Sequence, residues 1–186
     1  MCKTLQRPPT GFFQLFGLEE KLAIDAADLQ KRFYDLSRKM HPDLFTLKTP
    51  EEQECALEGT SILNDGFRTL KDPIARAEYV LKNHGFDIGE QRSNNVPPEL
   101  LEEVFELNEA LEEIRGGDAS VRPHLVDADQ KFRQMMREAD QELDVAFRSY
   151  DDSHDNAVLQ KVRGILNRRK YIQNLVSEVE KELAVA

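Results

Sequence analysis

Apolar residues recur at steps of three and four along almost the whole chain, and nowhere do they alternate with polar residues long enough to make a strand. That period confines the chain to an all-α fold. A 3.6-residue repeat gathers its apolar set on one side of a helix and would scatter it over both faces of a sheet. The helix ends are marked as clearly as the faces. Asp25 is an N-cap flanked by the staple pair Ile24 and Leu29, and Leu29, Phe33, Leu36 and Met40 then make one face until Pro42 stops the helix. Thr49-Pro50-Glu51-Glu52 is a capping box, followed by a face of Ala56, Gly59, Leu63, Phe67 and Leu70. Asp72-Pro73 opens a short helix through Tyr79 to Asn83, and Gly85 closes it. Ahead of these lies GFFQLFGL (11–18), which offers Phe13, Phe16 and Leu18 to a core.

The stretch GFDIGEQRSNNV (85–96) reads as a linker, with Phe86 and Ile88 expected to pack between the two halves. Pro97-Pro98 opens a second region with helical runs at about 98–115, 119–150 and 156–184. Gly116-Gly117-Asp118 and DDSHD join them, and connections this short make neighbours antiparallel. Leu125, Ala128, Phe132, Met135 and Ala139 form one seam, and Val162, Ile165, Ile172, Val176, Val179 and Leu183 another, interrupted by Arg169. The expected plan is a tail (1–10), a first domain (11–85), a linker (86–96) and an antiparallel three-helix domain (97–186).

Charge narrows the partners. The net charge is −10, divided as −1 over residues 1–85 and −9 over the rest, so nucleic acid and anionic membrane are not expected partners. No apolar run reaches membrane-spanning length, and the start MCKTLQRPPT has no signal-peptide core. Cys2 and Cys55 form neither a CxxC pair nor, with histidine, a metal-ligand spacing, so no metal, cofactor or disulfide framework is expected. A reducing compartment fits: the cytosol or, for an organelle protein freed of its presequence, the mitochondrial matrix.

RKMHPDLF (38–45) ends a basic helix on His41-Pro42-Asp43. One reading is a proline stop with an aspartate turn. The other is a functional bend. Lys31 and Arg38 share one line of the helix, and Arg32 and Lys39 another, both away from the Leu29/Phe33/Met40 face, so a cationic side runs up to the bend. The pairs Asp28–Arg32 and Asp35–Lys39, worth only about 0.3 kcal/mol each, leave net positive charge on that side.

LFGL (15–18), the basic helix into HPD (31–43), ILNDGFRTLKDP (62–73) and RAEYVLKNHGFD (76–87), in this order, resemble the J-domain of DnaJ-type co-chaperones. With the acidic three-helix region behind them, the resemblance is closest to the HscB type, which serves iron–sulfur cluster assembly, and it spans nearly the whole chain. It makes residues 11–85 the J-domain and implies an HscA/DnaK-class ATPase chaperone as partner. Asp43 would pair with a basic residue near that partner's nucleotide-binding domain. His41 would hold the loop, Pro42 would fix the bend, and Lys31, Arg32, Arg38 and Lys39 would steer docking. The outcome is faster hydrolysis by the partner, with no catalytic group from this chain. Met40 and Leu44 depart from the common pattern, which often has an aromatic and a lysine there.

Helix 98–115 carries seven glutamates and one arginine. Leu100, Val104, Leu107, Leu111 and Ile114 supply a bundle stripe, which leaves Leu101 and Phe105 over, one turn apart. They widen a core face, contact the first domain, or form an exposed ridge rimmed by acid. The HscB resemblance implies the third: Leu101, Phe105, Glu106, Glu109 and, on the last helix, Tyr171 would bind an IscU-type scaffold protein, while Glu102 stands where some relatives have an apolar residue. The second function kept is a J-domain adaptor for a different client. An enzyme is a third class; His84, His124 and His154 are scattered without partners in the sequence. Arg168-Arg169-Lys170 reads as a solvated face or as partners for the glutamates of helix 98–115.

Overall fold

The computed structural model describes residues 11–86 and 96–185, and the side chain of residue 185 is not described. Helices account for the regular structure of the described residues. The chain divides into two compact units, residues 1–86 and 87–186.

The first unit holds α1 (Phe12–Phe16), α2 (Ala26–Met40), α3 (Pro50–Lys71) and α4 (Pro73–Asn83). Its caps follow the local chemistry. The Asp25 carboxylate accepts from the Ala27 and Asp28 amides, Thr49 and Glu52 close a capping box, and Asp72 accepts from Ala75. At the end of α4, Phe86 N–H donates to Leu81 O at 3.0 Å and Gly85 N–H to Lys82 O at 3.1 Å. That pair of bonds needs a left-handed residue, and Gly85 supplies it at φ +79°. Phe86 is half-buried, and Ile88 lies outside the described residues.

α2 and α3 form an antiparallel hairpin. Phe33 stacks on Phe67 at 4.2 Å between centroids, and twenty residues from Met40 the Thr60 hydroxyl donates to the Met40 carbonyl. Leu29, Ala56, Leu63 and Leu70 are fully buried, while Phe33, Leu36 and Met40 are half-buried. α1 lies against both helices, close enough that a methyl group on Gly66 would meet Phe12 at 3.0 Å and Phe16 at 3.1 Å. Arg76 is also buried, and its guanidinium donates to the carbonyls of Leu22 and Leu70.

The second unit holds α5 (Leu101–Arg115), α6 (Arg122–Ser153) and α7 (Asn156–Val185). Gly117, at φ +94°, makes the left-handed turn after α5. His154, at φ +52°, makes the one after α6 and is the only non-glycine residue with positive φ among the described residues. Cross-helix bonds set the directions: Arg122 to Leu183 O and Arg169 to Asp140 run α6 and α7 antiparallel. The core is built on Leu107, Leu111, Leu125, Phe132, Ile172, Val176 and Val179, with Val104, Ile114 and Tyr171 packed at its margin. α7 buries more than one seam, because Leu159, Leu166 and Leu175 are buried as well.

Candidate functional site

Two surfaces were singled out in the sequence, and each unit carries one. At the end of α2, His41 has φ −59° and ψ 127°, the extended conformation that a following proline enforces. Pro42 then starts a single 3₁₀ turn, Pro42–Phe45. The turn is closed by its own hydrogen bonds. Leu44 N–H donates to His41 O at 3.0 Å, the Thr46 hydroxyl to Asp43 O at 3.2 Å, and Asp43 N–H to His41 Nδ1 at 3.3 Å. The imidazole therefore caps the turn through Nδ1. Nδ1 also lies 3.4 Å from the Asp43 carboxylate, whose side chain is 83% exposed. A carboxylate held this open on a braced bend is a hydrogen-bond acceptor for an external cation.

The basic side of α2 divides. Lys31, Arg38 and Lys39 are exposed. Arg32 is half-buried and engaged: Nε donates to Asp28 at 2.7 Å, and Nη1 donates to the carbonyls of Phe16 at 3.0 Å and Gly17 at 2.9 Å. Its cation ties the end of α1 to α2. Of the two pairs expected along α2, Asp28–Arg32 forms, and no Asp35–Lys39 pair is found among the described residues.

On α5 the core stripe is buried or half-buried throughout, while Leu101 is 56% and Phe105 64% exposed. They are an open ridge, not a widened core face. Ion pairs fix the two flanks of the helix: Glu103 meets Lys131 of α6 at 3.4 Å, and Arg115 meets Glu178 and Glu182 of α7 at 3.3 and 2.6 Å. At about 100° per residue, Leu101 and Phe105 fall on the α7 side of α5. Glu109, one turn after Phe105, borders the ridge, whereas Glu106 lies about 100° further round. Both glutamates line a groove of about 460 Å³ between α5 and α6, floored by Leu107, Ala128 and Phe132 and walled further by Glu103, Glu113 and Asp127. The apolar ridge and the acidic groove thus share one helix and meet at Glu109. Tyr171 is half-buried against the core, and burial, helped by the Glu178 carboxylate, raises its phenol above the ordinary value.

The groove had no sequence signal, because it depends on which flank of α5 meets α6. The other histidines fall at helix ends or on the surface. His84 caps α4 and sits 2.7 Å from Glu20, and His124 is exposed on the groove wall. In the basic run of α7, Arg168 pairs with Glu142 at 2.7 Å and reaches Glu99 at 3.9 Å, and Arg169 pairs with Asp140 at 2.5 Å. Among the described residues no cluster of three or more His, Cys, Asp or Glu side chains could hold a metal ion, and no helix is long and apolar enough to cross a membrane.

The chain is similar in sequence and fold to known proteins. Residues 96–180 match the family described as the HSCB C-terminal oligomerisation domain. A co-chaperone protein HscB homolog from Shewanella amazonensis is 33% identical over 172 residues, covering 91% of this chain and 95% of the relative. The iron–sulfur cluster co-chaperone protein HscB of Homo sapiens is 27% identical over 181 residues, covering 96% of this chain and 72% of the relative. Among solved structures, human co-chaperone HscB superposes with a TM-score of 0.72 at 25% identity, covering 97% of this chain and 87% of that one. Chaperone HscB from Vibrio cholerae gives 0.64 at 29%, covering 92% and 96%.

Proposed function

The chain belongs to the HscB family of co-chaperones of iron–sulfur cluster assembly, and from that membership we propose that it stimulates the ATPase of an HscA/DnaK-class chaperone and delivers an IscU-type scaffold protein to it. Residues 11–85 act as the J-domain, 86–96 as the linker and 97–186 as the scaffold-binding domain. The observation that carries the reading is the Asp43 carboxylate, 83% exposed on a turn braced by its own hydrogen bonds. A rigid bend presents the charge without an ordering cost on docking. Asp43 meets a cation at the chaperone's nucleotide-binding domain, and His41 keeps the turn in shape from within. Lys31, Arg38 and Lys39 attract an acidic face of the partner from a distance. Arg32 contributes to that field too, but its hydrogen bonds belong to the fold.

The scaffold is held by the ridge and its acidic border: Leu101 and Phe105 supply apolar area, Glu106 and Glu109 supply charge, and Tyr171 adds an aromatic edge on α7. Holding both partners on one chain raises the concentration of scaffold seen by the chaperone, which favours cluster transfer to acceptor proteins without any reacting group from this chain. With Cys55 half-buried and free, a reducing compartment such as the cytosol suits it. The test is single-turnover ATP hydrolysis by the chaperone with wild type, His41→Gln and Asp43→Asn. Both variants should keep their helicity and lose the stimulation; full stimulation by Asp43→Asn refutes the reading.

A further inference from the structure

Leu47 is 98% exposed, yet it does not sit on loose chain. The Gln53 amide donates to Thr46 O at 3.2 Å and to Lys48 O at 3.0 Å, clamping the carbonyls on either side of it. Lys48 N–H donates to Phe45 O at 3.0 Å, which closes a second turn directly after Pro42–Phe45. Leu44, 59% exposed, lies in the Pro42–Phe45 turn, three residues before Leu47. Leu57, 60% exposed, lies four residues after Gln53 and so shares the α3 face that reaches this turn. Three exposed leucines thus stand on the HPD turn, on the clamped turn after it and on the α3 face that reaches both. Exposed apolar area gathered in one place marks a contact surface, whereas single exposed leucines do not.

We propose that Leu44, Leu47 and Leu57 form the apolar half of the chaperone-docking surface and take an aliphatic strip of the ATPase next to the cation that Asp43 meets. The proposal rests on the docking reading above and commits to that partner by continuity. Leu44 follows Asp43 directly in the chain and in the same turn, so a partner that reaches the carboxylate covers Leu44, and Leu47 stands in the next turn of the chain. The two halves of such a surface differ in kind. Contacts through Lys31, Arg38 and Lys39 are screened by salt, with a Debye length of about 10 Å at 0.1 M, whereas leucine contacts are not.

The experiment measures Kd of the full chain for the ATP-bound chaperone over a salt series, for wild type, the Leu44→Ser/Leu47→Ser/Leu57→Ser variant and Asp43→Asn, with helicity checked by circular dichroism. The serine variant should bind at least tenfold more weakly at every salt concentration, with an unchanged slope of log Kd on log salt. Unchanged affinity in the serine variant, with binding lost in Asp43→Asn, overturns the ledge and leaves the docking reading standing. Unchanged affinity in both overturns the docking reading and the ledge with it. A wild-type dimer in sedimentation that the serine variant abolishes, at unchanged chaperone affinity, gives the ledge to a second copy of this chain and also overturns the proposal. Should the triple variant lose helicity, Leu47→Ser alone decides: a threefold or greater loss supports the ledge, and no loss overturns it.

Discussion

Truncating the exposed ridge of α5, Leu101→Ala with Phe105→Ala, separates scaffold binding from folding. Leu101 keeps 56% and Phe105 64% of its surface open, so the folded chain alone gains little from either. Fully burying such a side chain contributes about 1.5–3 kcal/mol. Scaling by the exposed fractions leaves about 0.8–1.7 kcal/mol for Leu101 and about 1–1.9 kcal/mol for Phe105 to be gained on binding. Together they amount to about 2–3.5 kcal/mol, a loss of roughly 30- to 400-fold in affinity for the double variant. Titration calorimetry against the purified scaffold measures it, and the heat-capacity change of binding should become less negative as apolar burial is removed. Helicity should hold, because alanine is the better helix former at both positions. Wild-type affinity in a folded double variant refutes the assignment of the ridge to the scaffold.

Arg32→Ala should destabilise the protein by about 1–2 kcal/mol in urea melts, through three lost hydrogen bonds from a half-buried guanidinium, while Lys31→Ala stays within about 0.5 kcal/mol. Gly66→Ala gains about 1 kcal/mol of helix propensity but forces a methyl group against the rings of Phe12 and Phe16, at about 1–3 kcal/mol; thermal melts should show net destabilisation. The Tyr171 phenol is raised in the folded state, so its contribution to stability is complete below its unfolded value near 10 and is lost as pH climbs through the folded value. Tyr171→Phe should therefore reduce the alkaline loss of stability seen in urea melts above that pH.

The helices were legible because caps and faces are local. Asp25, the Thr49–Glu52 box, Asp72 and Gly85 act within a few residues of themselves, and the structure uses each as the sequence reads. The ridge was legible by subtraction: α5 needs one stripe, and Leu101 and Phe105 fall outside it. What stayed hidden depends on tertiary partners. Arg32 and Lys31 look alike on a helical wheel, and only the arrival of the α1 carbonyls makes one an anchor. Arg76 carries no local signal of burial, which comes only from the carbonyls of Leu22 and Leu70 that converge on it. On α7 a single seam was visible, but Leu159, Leu166 and Leu175 are buried too, so the covered face of that helix is wider than the seam. The reach of Gln53 to the carbonyls on either side of Leu47 joins two elements, and no periodicity encodes it.

On the proposed function, one chain engages a chaperone through Asp43 and a client through α5. Titrating the chaperone's ATPase with this protein, with and without purified scaffold, tests it most directly. Wild type should stimulate hydrolysis, and scaffold should raise the stimulation further at the same protein concentration. Asp43→Asn should give neither effect while still binding scaffold. Stimulation that scaffold leaves unaltered, or that survives Asp43→Asn, contradicts the account.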